Sequence, residues 1–146
     1  MSKKIPYETT LHVRDTCVCL HVQRAARALA RHFDDALKPV GLTNGQFSLL
    51  LALNRPQPPA ISPVAQLLAM DRTTLTAALK PLERQGLVSI ASDPSDRRSR
   101  LLTLTAKGHQ LLAQALPIWT AAHEDLDSRL GADAMRGLRE GLSALI

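Results

Sequence analysis

Between residues 12 and 37 apolar side chains recur at helical spacing. Val18, Val22, Ala25, Leu29, Phe33 and Ala36 share one face, with Arg24, Arg27, Arg31 and Asp35 largely on the others. The spacing predicts one long helix, ended by Pro39 and Gly41. That is long for so small a domain, so the helix is expected to reach beyond the body of its own subunit. Ala25, Ala26, Ala28 and Ala30 are small enough to admit a second helix closely.

Thr43 followed three residues later by Gln46 is a capping box and predicts a helix through Leu53, with Phe47, Leu50 and Leu51 as its core face. Pro56, Pro58 and Pro59 make a stiff loop. Ser62 before Pro63 predicts an N-cap with proline at the first helical position, opening a short helix over 63–69. Asp71 caps the next helix, over 72–85, and Gly86 stops it. Its apolar stripe, Leu75, Ala78, Leu79 and Leu82, must face a core.

Residues 87–90 and 102–104 alternate like strands around a turn-rich stretch at 92–99, a hairpin with a long tip. A helix from Thr105 to Leu130 follows, carrying Leu111, Leu112, Leu116, Ile118 and Leu126 and expected to kink at Pro117. A last helix follows Gly131. Short helix, tight turn, capped helix and basic hairpin in that order predict a mainly α (α+β) winged helix-turn-helix.

Composition narrows the functional classes. With 146 residues, 45% hydrophobic and 21% charged, the chain is long enough and apolar enough for one globular domain. No apolar run reaches membrane-spanning length, and residues 1–10 lack the apolar stretch of a secretory signal, so a cytoplasmic location is expected. The net charge of +5 favours a polyanionic partner, and Arg97, Arg98 and Arg100 concentrate it in the hairpin. Aromatic content of 3% argues against single-strand binding by base stacking. No nucleophile–base pair, phosphate-binding glycine loop or metal cluster points to an enzyme, and no cofactor is expected.

On the helix after Asp71, Arg72, Thr73, Thr76, Lys80 and Arg84 lie opposite the apolar stripe. These types suit a DNA major groove, where threonine meets phosphate or a base edge and Lys or Arg meets phosphate or guanine. Pro81 removes a backbone donor and should bend the far half of this helix. In the hairpin, Asp96 is placed to hold an arginine, and an arginine on an extended tip can enter a narrow minor groove.

Residues 71–76, 82–88, 93–98 and 102–108, the last reading Leu102-Thr103-Leu104-Thr105-Ala106-Lys107-Gly108, together resemble the MarR family of bacterial and archaeal regulators. The resemblance runs from about Val13 to the C-terminus. It implies a homodimer held by helices at about 12–38 and 106–146, with a DNA-binding lobe at about 43–104 and a wing at 87–104, all in one domain. It also implies binding to a palindromic duplex operator in the nucleoid, usually as a repressor. By the same resemblance Arg98 takes a minor-groove role with Asp96 orienting it, and the helix beginning Arg72-Thr73-Thr74 takes the major groove.

A small aromatic or oxidant effector is the implied signal. Many members bind small aromatic anions in a crevice between the dimer arm and the DNA-binding lobe. Cys19 aligns with the reactive cysteine of the organic-hydroperoxide-sensing branch, although Gln23, Phe33 and Asn44 stand where that branch has tyrosines. Cys17 and Cys19 on one continuous helix would point about 200° apart and could not pair with each other. His21, four residues after Cys17, would share its face, but two ligands do not make a metal site. The competing reading is a winged helix serving as a protein-interaction module.

Overall fold

The structure is a computed structural model that describes residues 2–146. The chain separates into two compact units, residues 1–32 and 33–146.

The first unit is helical. Helix α1 spans Tyr7–Thr16 and buries no residue. Helix α2 spans Val18–Leu37, and its last residues belong to the second unit. The single helix expected from residue 12 is therefore divided at Cys17, whose φ of −70° and ψ of 108° are extended. Cys17 closes one helix and opens the next. Its N–H donates to the Val13 carbonyl at 2.9 Å, and its Sγ accepts the backbone N–H of Leu20 at 3.5 Å. The thiol thus occupies the place of an N-cap side chain, satisfying a donor that the first helical turn leaves free. Beside it, the Thr16 hydroxyl donates back to the His12 carbonyl at 2.7 Å, a competing bond that weakens a helix locally.

After the end of α2 the second unit continues with a 3-10 turn at Lys38–Val40 and then helix α3, Asn44–Ala52. Both halves of the Thr43–Gln46 capping box form. Phe47, Leu49, Leu50 and Ala52 are the buried positions, whereas Leu51, expected on the core face, is 46% exposed. Helix α4 spans Ile61–Leu67, two residues earlier than expected, with Ala60 rather than Ser62 at the N-cap. The cause is tertiary. Ala60 bridges to Leu101, and the Pro59 carbonyl accepts the Leu102 N–H at 2.9 Å, so the hairpin fixes the chain immediately before the helix begins.

Helix α5 spans Arg72–Arg84 and continues unbroken through Pro81. It ends as a Schellman motif. Gly86 has φ +74°, its N–H donates to the Glu83 carbonyl, and the Leu87 N–H donates to the Leu82 carbonyl. Strands β1, Val88–Asp93, and β2, Asp96–Leu104, form the antiparallel hairpin. Its tip is a two-residue turn, Pro94-Ser95, and not the long tip expected. Helix α6, Ala106–Leu130, runs through Pro117 as one helical segment, and α7 spans Ala132–Ser143.

Leu37, Phe47, Leu50, Val64, Leu75, Leu79, Leu82, Leu87, Leu102 and Leu112 belong to one core cluster that joins α3, α4, α5, the hairpin and α6. Complete burial of such a leucine contributes about 1.5–3 kcal/mol, so this cluster is what holds α5 and the hairpin in place. No helix among the described residues is long and apolar enough to cross a membrane.

Candidate nucleic-acid interface

Helix α5 buries Leu75, Leu79 and Leu82 and turns its other side outward. The Asp71 carboxylate starts it, accepting the Thr74 N–H at 2.7 Å and the Thr74 hydroxyl at 2.8 Å. Those two bonds, the backbone one first, hold the Asp71 carboxyl below the usual carboxylate range. Thr74 is therefore committed to the cap. Arg72, Thr73, Thr76, Ala77 and Lys80 line one shallow outward groove. Within it the Thr76 hydroxyl donates to the Arg72 carbonyl at 2.8 Å, which fixes its rotamer and leaves its oxygen lone pairs free to accept.

The hairpin supplies the second basic element. Its register breaks between Ser92, which faces Arg100, and Asp93, which faces Asp96. Arg97, Arg98 and Ser99 thus form a bulge opposite no residue of β1, an arrangement that bends a strand and re-aims its side chains. Asp96 ties this bulge through its Oδ1, which accepts the backbone N–H of Arg98 at 3.0 Å. The bond is to the main chain and not to a guanidinium. Arg100 donates from Nη1 to Ser92 Oγ at 2.7 Å, across the hairpin. Asp93 accepts the Ser95 N–H and hydroxyl, which close the turn and lower its carboxyl below the usual range. Among the described residues no ion pair holds Arg72, Lys80, Arg97 or Arg98.

A cavity of about 270 Å³ in the second unit was not anticipated residue by residue. Phe33, Leu37, Asn44, Phe47, Ser48, Trp119 and His123 line it. Trp119 stacks near Phe47, centroids 6.1 Å apart and planes at 17°, and lies 4.9 Å from the His123 ring. His123 Nδ1 is 3.2 Å from the Asp127 carboxylate, an arrangement that leaves Nε2 for another partner. Asp34 Oδ1 accepts both the backbone N–H of Asn44 at 2.7 Å and its side-chain amide at 2.8 Å, bonds that lower the Asp34 carboxyl. The sequence held one signal for this site, the only tryptophan of the chain followed four residues later by a histidine.

Cys17 is half-buried and Cys19 exposed, and both are free thiols. Cys19 Sγ accepts from Gln23 Nε2 at 3.3 Å, so Gln23 does stand beside it. The helix break at Cys17 removes the geometric premise that put the two cysteines on one continuous helix. His21 Nδ1 lies 2.8 Å from the Cys17 carbonyl oxygen. Among the described residues no three His, Cys, Asp or Glu side chains gather as metal ligands.

The comparisons with known proteins agree in one direction. The model of the MarR family matches residues 42–99. Transcriptional regulator HosA of Escherichia coli O111:H- is 36% identical over 94 residues, 63% of this chain and 68% of HosA. The repressor CouR, solved on a 23-mer DNA duplex, is 31% identical with a TM-score of 0.82 over 98% of this chain and 99% of CouR. A CouR structure bound to p-coumaroyl-CoA is 30% identical, with a TM-score of 0.80 over 91% and 94%. The M. tuberculosis regulator MosR in complex with DNA is 35% identical, with a TM-score of 0.81 over 88% and 92%.

Proposed function

Because the chain belongs to the MarR family of transcriptional regulators, we propose that it is a dimeric repressor of a palindromic operator, released by a small aromatic anion. The observation that carries the DNA half is the joint exposure of the α5 groove, Arg72, Thr73, Thr76 and Lys80, and the bulged Arg97 and Arg98. Helix α5 supplies major-groove readers, while Arg98, its backbone tied by Asp96, enters the minor groove. Arg100 and Thr74 position these elements. Arg84 lies in the last turn, beyond Pro81, and is left to a phosphate contact at most.

Dimerisation rests on apolar surface that one chain leaves uncovered. Val13, Val18, Val22 and Leu29 on α1 and α2, and Leu138 and Leu142 on α7, are all exposed. Surface of this kind on terminal helices is what a second copy would bury. Residues 12–38 and 106–146 thus serve as the dimer arms, and the protein acts in the cytoplasm, at the nucleoid, without a catalytic role. The CouR and MosR complexes with DNA favour this over a protein-interaction module.

The effector half rests on the aromatic cavity. Phe33, Phe47 and Trp119 offer ring contacts, and His123 with Ser48 offers polar contacts for a carboxylate or phenol. Release by oxidation of Cys19, with Cys17, is the second reading. It is favoured by the exposure of Cys19 and the amide of Gln23 against its sulfur.

Selection of duplexes from a random pool tests the first half, with Arg98→Ala expected to abolish selection. For the second, p-coumarate should quench Trp119 and displace the selected duplex. Displacement by peroxide alone, lost in Cys19→Ser, would transfer the signal to the thiols. No enrichment at micromolar protein would end the regulator reading.

A further inference from the structure

The segment Thr105-Ala106-Lys107-Gly108 has no part in reading DNA or in the cavity, yet it receives the chain just beyond the end of the reading helix. The Lys107 ammonium donates to the Gln85 carbonyl at 2.8 Å, and the Thr105 hydroxyl donates to the Gly86 carbonyl at 2.6 Å. The Thr105 N–H donates to the Leu87 carbonyl at 3.1 Å. Three successive carbonyl oxygens beyond α5 are thus received by the start of α6.

The same Thr105 oxygen accepts the Gly108 N–H at 3.0 Å, so one hydroxyl caps α6 and binds the chain leaving α5. Gly108 makes the approach possible. A Cβ there would overlap the Leu87 carbonyl oxygen. Lys107 also places a cation at the negative end of the α5 dipole.

We infer that residues 105–108 form a joint that positions the reading helix and carries the state of the aromatic cavity to it. Helix α6 is continuous from this joint to Trp119 and His123 on the cavity wall, and α3 supplies Asn44, Phe47 and Ser48 opposite. A body wedged between those walls displaces α6, and α6 cannot move without shifting three hydrogen bonds at the end of α5 and the start of the wing. Thr105 and Lys107 are positioning residues that act through α5. This rests on the cavity reading given above.

The experiment uses the full chain and the selected duplex. Lys107→Met and Thr105→Val, singly and together, are compared with Thr105→Ser, which keeps both hydroxyl bonds. Affinity for the selected duplex should fall about three- to tenfold and affinity for a scrambled duplex should hold, because only groove-specific contacts need the aim of α5. Thr105→Ser should restore the selected-duplex affinity. A purely structural role would lower both affinities together.

Ser48→Phe then places a ring inside the cavity without any ligand, with Ser48→Leu as a smaller wedge if the first does not fold. In the otherwise native chain the wedge should weaken the selected duplex about tenfold, the usual size of coupling between sites. In the Thr105/Lys107 double variant it should add less than twofold. Independent, multiplicative losses would overturn the joint as the route. Should p-coumarate fail to quench Trp119, the cavity reading falls by itself, and the Ser48 cycle still decides the joint.

Discussion

The Asp96 carboxylate binds the backbone N–H of Arg98, 3.0 Å away, and through it fixes the bulge from which Arg97 and Arg98 project. The acid therefore sets where the arginine leaves the strand and leaves the guanidinium free for another partner.

This bond ranks the wing substitutions. Arg98→Ala should cost specific binding outright and lower the slope of log affinity against log salt by about 0.9 for each protomer of the dimer, one phosphate-scale contact apiece. Asp96→Ala should reduce affinity with the slope nearly intact, since it loosens the bulge but removes no cation. Asp96→Asn retains an acceptor oxygen and should fall between Asp96→Ala and the native chain. Titrations of duplex binding at several salt concentrations decide the order.

Asp71 gives the α5 cap a pH dependence. The Thr74 bonds depress its folded carboxyl, so their contribution is fully present above the unfolded value, about 3.9, and is lost as pH falls through the depressed folded value. Asp34 and Asp93 are depressed in the same direction and act in the same window. Thermal unfolding followed from pH 6 down to pH 2 should show a plateau and then a loss below about pH 4. Asp71→Asn should lower the plateau slightly and make the decline shallower.

Gly108→Ala should destabilise the fold by about 1–3 kcal/mol, because the new methyl meets backbone at Leu87 rather than a side chain that can turn away. Alanine normally gains about 1 kcal/mol over glycine inside a helix, so a net loss identifies the clash. Gly137→Ala on α7, where an added Cβ meets nothing within 4 Å, is the control expected to be neutral or stabilising. Urea denaturation compares the two.

Phe47→Ala should destabilise by about 3–5 kcal/mol, since Phe47 is buried in the core and stacks near Trp119. Cys19→Ser, at an exposed position, should leave the unfolding midpoint unchanged. Cys17→Ala should lower it by a small amount through loss of the α2 cap.

Local chemistry was legible in the sequence wherever a side chain answers its own backbone. Thr43 and Asp71 each cap the helix that their spacing announced, and Gly86 ends α5 in the left-handed conformation, while Thr105, read as the first residue of its helix, is that helix's cap. Features set by distant partners were not legible. The start of α4 depends on Pro59 and Ala60 being held by β2, which outweighs the Ser62-Pro63 signal. The arginine-rich stretch read as a long tip because turn formers and a strand bulge share a composition, and pairing with β1 is what separates them. The cavity draws Phe33, Asn44 and Phe47 from the neighbouring α2 and α3 but Trp119 and His123 from α6, far along the chain, so only folding gathers them.

The unbroken length of α6 has a mechanical consequence. Its 25 residues span about 37 Å at 1.5 Å per residue, from the Thr105 cap to Gly131. If Gly131 is the fulcrum, His123 and Trp119 lie roughly a third to a half of the way along this rod. A tilt of about 3° then moves the cavity wall by less than about 1 Å but carries the Thr105 end about 2 Å on this rod geometry. Bonds of 2.6 and 2.8 Å do not survive a stretch of that size. With the pivot at Gly131, a displacement smaller than one bond length, applied in the half of the rod nearer the pivot, would be geared up into a discrete break at the far end.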